Sequence, residues 1–148
     1  MTKKHGHRKT HKKLLNESRF GKELRSKELS SNHVINKKDE TYYLTGDERY
    51  RVVMEFTGKG LEKITVGYEI EINSKWVTVK LYDNTHNLDQ LHLHTKKSLN
   101  DLSDIISSNW VIKKGGPSKW LTWARRDILK NGWYYKRAFL KRSKLVDN

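Results

Sequence analysis

The 148-residue chain has no cysteine, a single proline and no long apolar run. Without cysteine it can form neither a disulfide nor a thiolate metal site, which suits a reducing cytoplasm. Its apolar runs are only a few residues long, so we expect no signal peptide and no membrane span. Hydrophobic residues make up 34% of the chain and the mean hydropathy is -0.91. These low values predict that part of the chain does not pack into a core.

Acidic residues are scarce at both ends of the chain. Residues 1–40 contain 12 Lys and Arg against 5 Asp and Glu, and residues 113–146 contain 11 against Asp127 alone. Residues 41–112 hold 8 basic and 10 acidic residues. A near-neutral centre is therefore flanked by two cationic segments within a total net charge of +14. This distribution indicates a polyanionic partner.

The composition divides the chain into two parts. Residues 1–40 are expected to form a basic tail that is disordered or partly helical, since MTKKHGHRKTHKK has no apolar residue after Met1. Weak helical spacing follows through Leu15, Phe20, Leu24 and Leu29. Residues 41–148 are long enough for a single domain.

Strands are predicted where apolar and polar residues alternate with a period of two. Two such runs are joined by the Asn73-Ser74 turn, which predicts a hairpin. In the second run, alternate residues from Val77 are expected to face the core, which leaves Tyr82 outward. The four predicted strands form an antiparallel meander and cover residues 50–56, 64–72, 75–82 and 89–95.

Helices are predicted in the last third of the chain. Ser98 and Asp101 resemble a capping box before an apolar stripe that runs to Ile106. Gly115-Gly116-Pro117 disfavours regular secondary structure. A helix is expected after it over residues 118–130, with Trp120 and Trp123 facing inward. Asn131-Gly132 is expected to separate this helix from another over residues 133–144. The predicted fold class is α+β: an antiparallel four-stranded meander sheet covered on one face by two or three C-terminal helices.

Three of the seven histidines lie between Tyr82 and His94. His92 and His94 are two residues apart on a predicted strand, so both side chains leave the same face, about 7 Å apart. His86 lies in the preceding turn, and Asp83 is close in sequence. Three interpretations remain open. The imidazoles serve as general base and acid in RNA cleavage, they bind a divalent metal with His86 or Asp83, or they are solvated histidines on a strand face.

The run W-V-T-V-K-L-Y-D-N-T-H, followed by an H-L-H strand, a helix and a basic helix, resembles the TumE-like toxins of bacterial and archaeal toxin–antitoxin systems. The resemblance covers about residues 50–112. It implies a toxin that acts on RNA and is neutralised by a DNA-binding antitoxin, with Asp83, His86, His92 and His94 as the catalytic set. The chain differs from that group in its long basic N-terminal tail and its Trp-rich basic C-terminus. The corresponding enzyme hypothesis is a metal-independent ribonuclease without a cofactor.

The segment from Lys113 to Lys144 interleaves basic and aromatic residues. Cations neutralise phosphates, and exposed aromatic rings stack on unpaired bases. The alternative for Trp120, Trp123 and Trp133 is a place in the core, packing helices on the sheet. The predicted nucleic-acid-binding residues are Lys113, Lys114, Lys119, Arg125, Arg126, Lys130, Lys136, Arg137, Lys141 and Arg142, and in the tail Lys3, Lys4, Arg8, Lys9, Lys12 and Lys13.

Together these patterns predict a basic, cytoplasmic RNA-binding protein that does not associate with a membrane. Two versions stay open: a toxin-like ribonuclease with an antitoxin partner, and a non-catalytic protein that binds RNA or the ribosome. A DNA-binding regulator is less favoured because the sequence shows no convincing helix-turn-helix.

Overall fold

The computed structural model describes residue 34, residues 36–99 and residues 110–146. In these residues six strands form one antiparallel sheet, and each strand pairs with the next along the chain. The strands are β1 (Asn36–Thr45), β2 (Glu48–Thr57), β3 (Gly60–Ile72), β4 (Lys75–Asp83), β5 (Leu91–Thr95) and β6 (Trp110–Ile112), and a helix α1 (Pro117–Arg142) follows them.

The hydrophobic core lies between one face of the sheet and α1, which packs over β3 and β4. The centre of β3 supplies four almost fully buried side chains, those of Ile64, Val66, Tyr68 and Ile70. The buried side of α1 recurs at helical spacing and consists of Trp120, Leu121, Ala124, Ile128, Gly132 and Phe139. The position of α1 on the sheet is therefore fixed by apolar packing along most of its length.

The predicted hairpin between the two central strands is confirmed. Asn73 and Ser74 have φ of 51° and 61°, and Ile72 pairs directly with Lys75. Two successive residues with positive φ match the right-handed twist of the flanking strands, so they suit a two-residue hairpin turn.

The predicted four-stranded sheet under two or three helices is wrong. The sheet has two further strands, β1 and β6, and the helices predicted over 118–130 and 133–144 are one continuous helix. Strand β1 is an exposed edge strand without apolar alternation, and β6 has only three residues. The helix predicted from Ser98 to Ile106 lies largely outside the described residues.

Gly132 lies inside α1 and does not interrupt it. Because this residue has no side chain, the helix backbone can approach the sheet closely. A Cβ atom at this position would lie 3.3 Å from Cε2 and Cζ of the buried Tyr68 ring. The glycine therefore lets the helix backbone rest on that ring, and tertiary packing offsets its low helix propensity.

A β-bulge in β4 changes which side chains face the core. The register of β3 and β4 shifts between Tyr68 and Glu69, so Ile70 pairs with Val77 whereas Val66 pairs with Tyr82. The extra residue reverses the alternation. Tyr82 is consequently fully buried, although simple alternation predicted that it faces outward.

Both ends of α1 are defined by backbone features. Gly116 is extended before the helix, and Pro117, which lacks an N–H, occupies the first turn. At the other end the Ser143 and Leu145 amides donate to the carbonyls of Phe139 and Leu140. Nowhere in the described residues does a helix combine the length and apolar character needed to cross a membrane.

Candidate functional site

One side of α1 presents both cations and aromatic rings to solvent. Successive members are three or four residues apart, with one adjacent pair, so they form a single row along the helix. We call this row the stripe, and it consists of Lys119, Trp123, Arg126, Lys130, Trp133, Tyr134, Arg137 and Lys141, all exposed. The stripe contains no acidic residue. Arg142 is also exposed but lies at the end of α1 on another side, where its Nε donates to the Ala138 carbonyl.

Two cations of α1 are already paired within the domain. Lys136 Nζ lies 2.7 Å from Asp47 Oδ2, and Arg125 Nη2 lies 3.7 Å from Glu40 Oε2. Arg125 also lies over the Tyr42 ring. Both were predicted to bind nucleic acid, but here they connect α1 to β1 and to the turn that follows it. Among the described residues, the five cations of the stripe form no ion pair, so their charge is available to a ligand.

The tryptophans of α1 divide between core and surface. Trp120 is 3% exposed, and its Nε1 donates to the Lys114 carbonyl. Trp123 and Trp133 are 38% and 63% exposed, and Tyr134 is 59% exposed. The inward position predicted for Trp120 is therefore confirmed, whereas the one predicted for Trp123 is wrong. Large exposed rings beside cations are typical of surfaces that bind single-stranded nucleic acid.

A groove opens at the beginning of the stripe. Its volume is about 400 Å³, and it is lined by Ser118, Lys119, Thr122, Trp123 and Arg126. The groove thus brings the Ser118 hydroxyl, two cations and an indole ring into one depression, while the Thr122 hydroxyl donates to the Ser118 carbonyl. The exposed Lys113 and Lys114 precede α1 at the same end of the helix. The predicted tail residues Lys3, Lys4, Arg8, Lys9, Lys12 and Lys13 lie outside the described residues.

Asp127, the one acid of the basic C-terminal segment, faces the sheet. The hydroxyl groups of Tyr82 and Tyr135 both donate to its Oδ2, and Asn131 Nδ2 donates to Oδ1 at 2.8 Å. Burial and the neighbouring carboxylate raise the pKa of both phenols well above the ordinary tyrosine value. Asp127 was not predicted to have a role, although a lone acid in a cationic segment is a signal of internal pairing.

Two of the three histidines predicted as catalytic, His92 and His94, lie close to Asp83. His94 Nε2 lies 3.3 Å from Asp83 Oδ2, and the rings of His92 and His94 are parallel with centroids 6.2 Å apart. The side chains of His94 and Asp83 are only 11% and 5% exposed. Asp83 Oδ1 accepts hydrogen bonds from the amide and the hydroxyl of Thr85. His86 is exposed in the loop between β4 and β5.

The histidines and the stripe lie on opposite sides of the sheet. Leu91 and Leu93 belong to the core under α1, so the alternate side chains of His92 and His94 leave the other face. Asp83 pairs with His92 across the strands and shares that face. The stripe therefore does not provide the cation that the ribonuclease hypothesis places beside the histidines. In the described part of the chain, no cluster of three or more His, Cys, Asp or Glu side chains has metal-binding geometry.

Comparison with known protein families gives a match over most of the chain. The model of the family described as "Domain of unknown function (DUF7718)" matches residues 35–145, so the chain belongs to this family. No curated protein and no solved structure matches the chain. The family description states no function, and nothing in the comparisons links the chain to TumE-like toxins.

Proposed function

We propose that this member of the DUF7718 family is an RNA-binding protein whose binding surface is the stripe on α1. The observation that supports the proposal most strongly is the division of cations along one helix. Arg125 and Lys136 are neutralised by acids of the domain, while the five stripe cations have no acidic partner among the described residues. Retaining unpaired cations in one row favours a ligand with regularly spaced negative charges.

The charge of the whole chain supports a polyanionic ligand. A net charge of +14 destabilises a compact monomer through self-repulsion, and bound phosphate relieves that repulsion. The single acid within α1, Asp127, is directed toward Tyr82 and Tyr135 and does not offset the charge of the stripe.

RNA is a better candidate than duplex DNA because the stripe combines exposed aromatic rings with cations. The paired bases of a DNA duplex are stacked on one another and offer no free face to such rings. RNA exposes unpaired bases in loops and bulges, and these are the usual partners of aromatic side chains.

The proposal is tested by titrating a fluorescein-labelled single-stranded RNA with the purified full chain, freed of copurified nucleic acid. Fluorescence anisotropy gives Kd for the native chain and for two double variants. The first, Arg126→Gln/Lys130→Gln, removes two stripe cations. The second, Arg125→Gln/Lys136→Gln, removes one arginine and one lysine that already have acidic partners. Both variants lower the net charge equally, so the second is a matched control.

We expect the first double variant to raise Kd at least tenfold and the second to change it no more than about twofold. Equal weakening by both would show that only net charge matters and would remove the role assigned to the stripe. Absence of RNA binding by the native chain at low ionic strength would refute the proposal entirely.

A ribonuclease is the second candidate, and the contact of His94 with Asp83 is the observation that favours it. A carboxylate beside one imidazole orients that ring, and the adjacent His92 supplies a second titratable group. In this version the protein is a toxin with an antitoxin partner, and RNA reaches the face opposite α1. The test is cleavage of labelled RNA by the native chain, His92→Ala and His94→Ala. Cleavage lost in both variants with RNA affinity retained supports the enzyme. Cleavage by a His92→Ala/His94→Ala double variant that equals cleavage by the native chain excludes the histidines.

The proposed cellular context is the cytoplasm, where RNA and ribosomes are available. Sedimentation of a cell extract tests this context. A protein that binds ribosomal RNA is expected in the ribosomal pellet and is released by salt. Recovery with the membrane fraction after ribosomes are removed would contradict it.

A further inference from the structure

Two aromatic rings of the stripe lie on the same side of α1 and are separated by cations. Trp123 and Tyr134 are eleven residues apart, which corresponds to about three helical turns and about 16 Å along the axis. Lys130 lies between them in the row, and Trp133 contacts Tyr134 edge to face with ring centroids 6.1 Å apart. The surface therefore has an aromatic ring, a cationic interval and a second aromatic ring in sequence.

Both rings contact tyrosines of the part-buried polar cluster at Asp127. Trp123 meets the Tyr82 ring edge to face at 5.8 Å, and Tyr134 meets the Tyr135 ring at 6.1 Å. The hydroxyls of Tyr82 and Tyr135 donate to the same Asp127 oxygen. Each exposed ring thus contacts a tyrosine ring whose hydroxyl is held by Asp127. A ring already fixed in one orientation loses little conformational entropy when a ligand stacks on it.

We infer that the two rings bind unpaired bases, so that the stripe selects single-stranded over duplex RNA. This inference rests on the proposed RNA-binding function and names its substrate class. The stripe cations Arg126 and Lys130 contact the phosphates of the intervening nucleotides. Stacking on a ring does not require a particular base, so the selection concerns the absence of pairing and not the sequence.

The arrangement is poorly suited to a duplex or to a lipid bilayer. In A-form RNA the faces of the bases are stacked on one another, so a duplex offers only its phosphates and sugars to α1. A helix that inserts into a membrane surface needs a continuous apolar face. Here two cations separate Trp123 from the Trp133–Tyr134 pair and two more follow that pair, so the row has no continuous apolar face and favours a ligand that offers both phosphates and bases.

The test compares one 12-nucleotide RNA as a single strand and as a duplex with its complement. Kd is measured by anisotropy for the native chain and for leucine and phenylalanine variants of both rings: Trp123→Leu, Trp123→Phe, Tyr134→Leu and Tyr134→Phe. Leucine keeps apolar bulk but removes the π-face, whereas phenylalanine keeps it. Leu129→Ala is the matched control, since Leu129 is exposed on α1 but is not aromatic. Circular dichroism checks that each variant is folded, and Tyr134 is exposed enough that its substitution leaves the core intact.

We expect the native chain to bind the single strand at least tenfold more tightly than the duplex. Each leucine variant should raise Kd for the single strand roughly tenfold, while the phenylalanine variants and Leu129→Ala change it less than about threefold. Kd for the duplex should be the same in all five variants. Equal affinity for both RNA forms, or leucine variants that bind like the native chain, would overturn the inference.

Failure of the inference is distinguishable from failure of the proposed function. If Arg126→Gln/Lys130→Gln weakens both RNA forms while the leucine variants have no effect, the stripe binds phosphate without stacking. If neither class of variant alters RNA binding, the stripe is not the binding surface. A third arm uses vesicles of phosphatidylserine and phosphatidylcholine, and tighter binding to these vesicles than to either RNA would overturn both claims.

Discussion

Replacement of Asp127 by alanine should destabilise the domain strongly, because this carboxylate joins α1 to the sheet. It accepts hydrogen bonds from the fully buried Tyr82, from Tyr135 and from Asn131. Alanine leaves two phenol hydroxyls without an acceptor, and each buried unsatisfied group costs about 1–3 kcal/mol. We therefore expect a loss of about 3–4 kcal/mol, a large fraction of the roughly 5–15 kcal/mol that stabilises an ordinary domain.

The assay is urea unfolding followed by tryptophan fluorescence, with the free energy of unfolding extrapolated to water. Tyr82→Phe, alone and combined with Asp127→Ala, completes a double-mutant cycle. The cost of Asp127→Ala should fall by about 1–2 kcal/mol once the Tyr82 hydroxyl is absent. Asp89→Ala, an exposed acid in the loop before β5, serves as the control and should cost less than about 0.5 kcal/mol. A loss below about 1 kcal/mol for Asp127→Ala would refute the reasoning.

Three further predictions concern salt, pH and packing. In Arg126→Gln/Lys130→Gln, the slope of log Kd against log salt concentration for single-stranded RNA should become shallower by about 1.4, because two phosphate contacts are lost. Anisotropy titrations from low to moderate salt measure this slope, and an unchanged slope would contradict phosphate contact. Burial raises the pKa of Tyr68, Tyr82 and Tyr135 above the unfolded value near 10, so their stabilising effect is complete below that pH and is lost progressively as the pH rises above it. Urea unfolding should show a decline of about 4 kcal/mol per pH unit above pH 10, reduced by about a third in Tyr82→Phe. A flat profile would contradict this prediction. Gly132→Val should cost about 1–3 kcal/mol in the same assay because its side chain meets the Tyr68 ring, and a neutral effect would contradict that packing.

The central strands are predictable from the sequence because one face of each is buried and the other is more exposed, so apolar and polar residues alternate. Alternation along residues 64–72 is strict, and the Asn73-Ser74 turn identifies the hairpin. Strand β1 lacks this signal, since it is an edge strand that is exposed along almost its whole length. Its charged side chains suit an unprotected sheet edge but resemble a linker in sequence. An edge strand of this kind is recognised only from its pairing partner.

Two errors come from tertiary contacts that override a local pattern. Gly132 resembles a helix end, yet it is retained inside α1 because the Tyr68 ring occupies the space of a side chain. Tyr82 is predicted to face outward, yet the bulge beside Val79 turns it inward to Asp127. In both cases the deciding partner is distant in sequence, so no window of neighbouring residues contains the information.

The location of the candidate site was predictable in part. The basic and aromatic composition of residues 113–144 indicates a binding surface, and helical spacing places Arg126, Lys130 and Arg137 on one side. Spacing does not reveal that Lys136 is paired with Asp47, nearly ninety residues away. It does predict that His92 and His94 share a face opposite Leu91 and Leu93, but not that His94 Nε2 lies 3.3 Å from Asp83 Oδ2. The paired cations of α1 can therefore be distinguished from the cations of the stripe only when the ion pairs of the folded domain are known.

Cross-linking tests most directly whether RNA lies on the exposed side of α1. A single-stranded RNA carrying 4-thiouridine is irradiated with the native full chain, and the modified residues are identified by mass spectrometry. We expect cross-links at Trp123, Trp133 and Tyr134, reduced by Arg126→Gln/Lys130→Gln. Cross-links confined to β5 around His92 and His94, or to residues 1–33, would contradict the placement of RNA on the stripe.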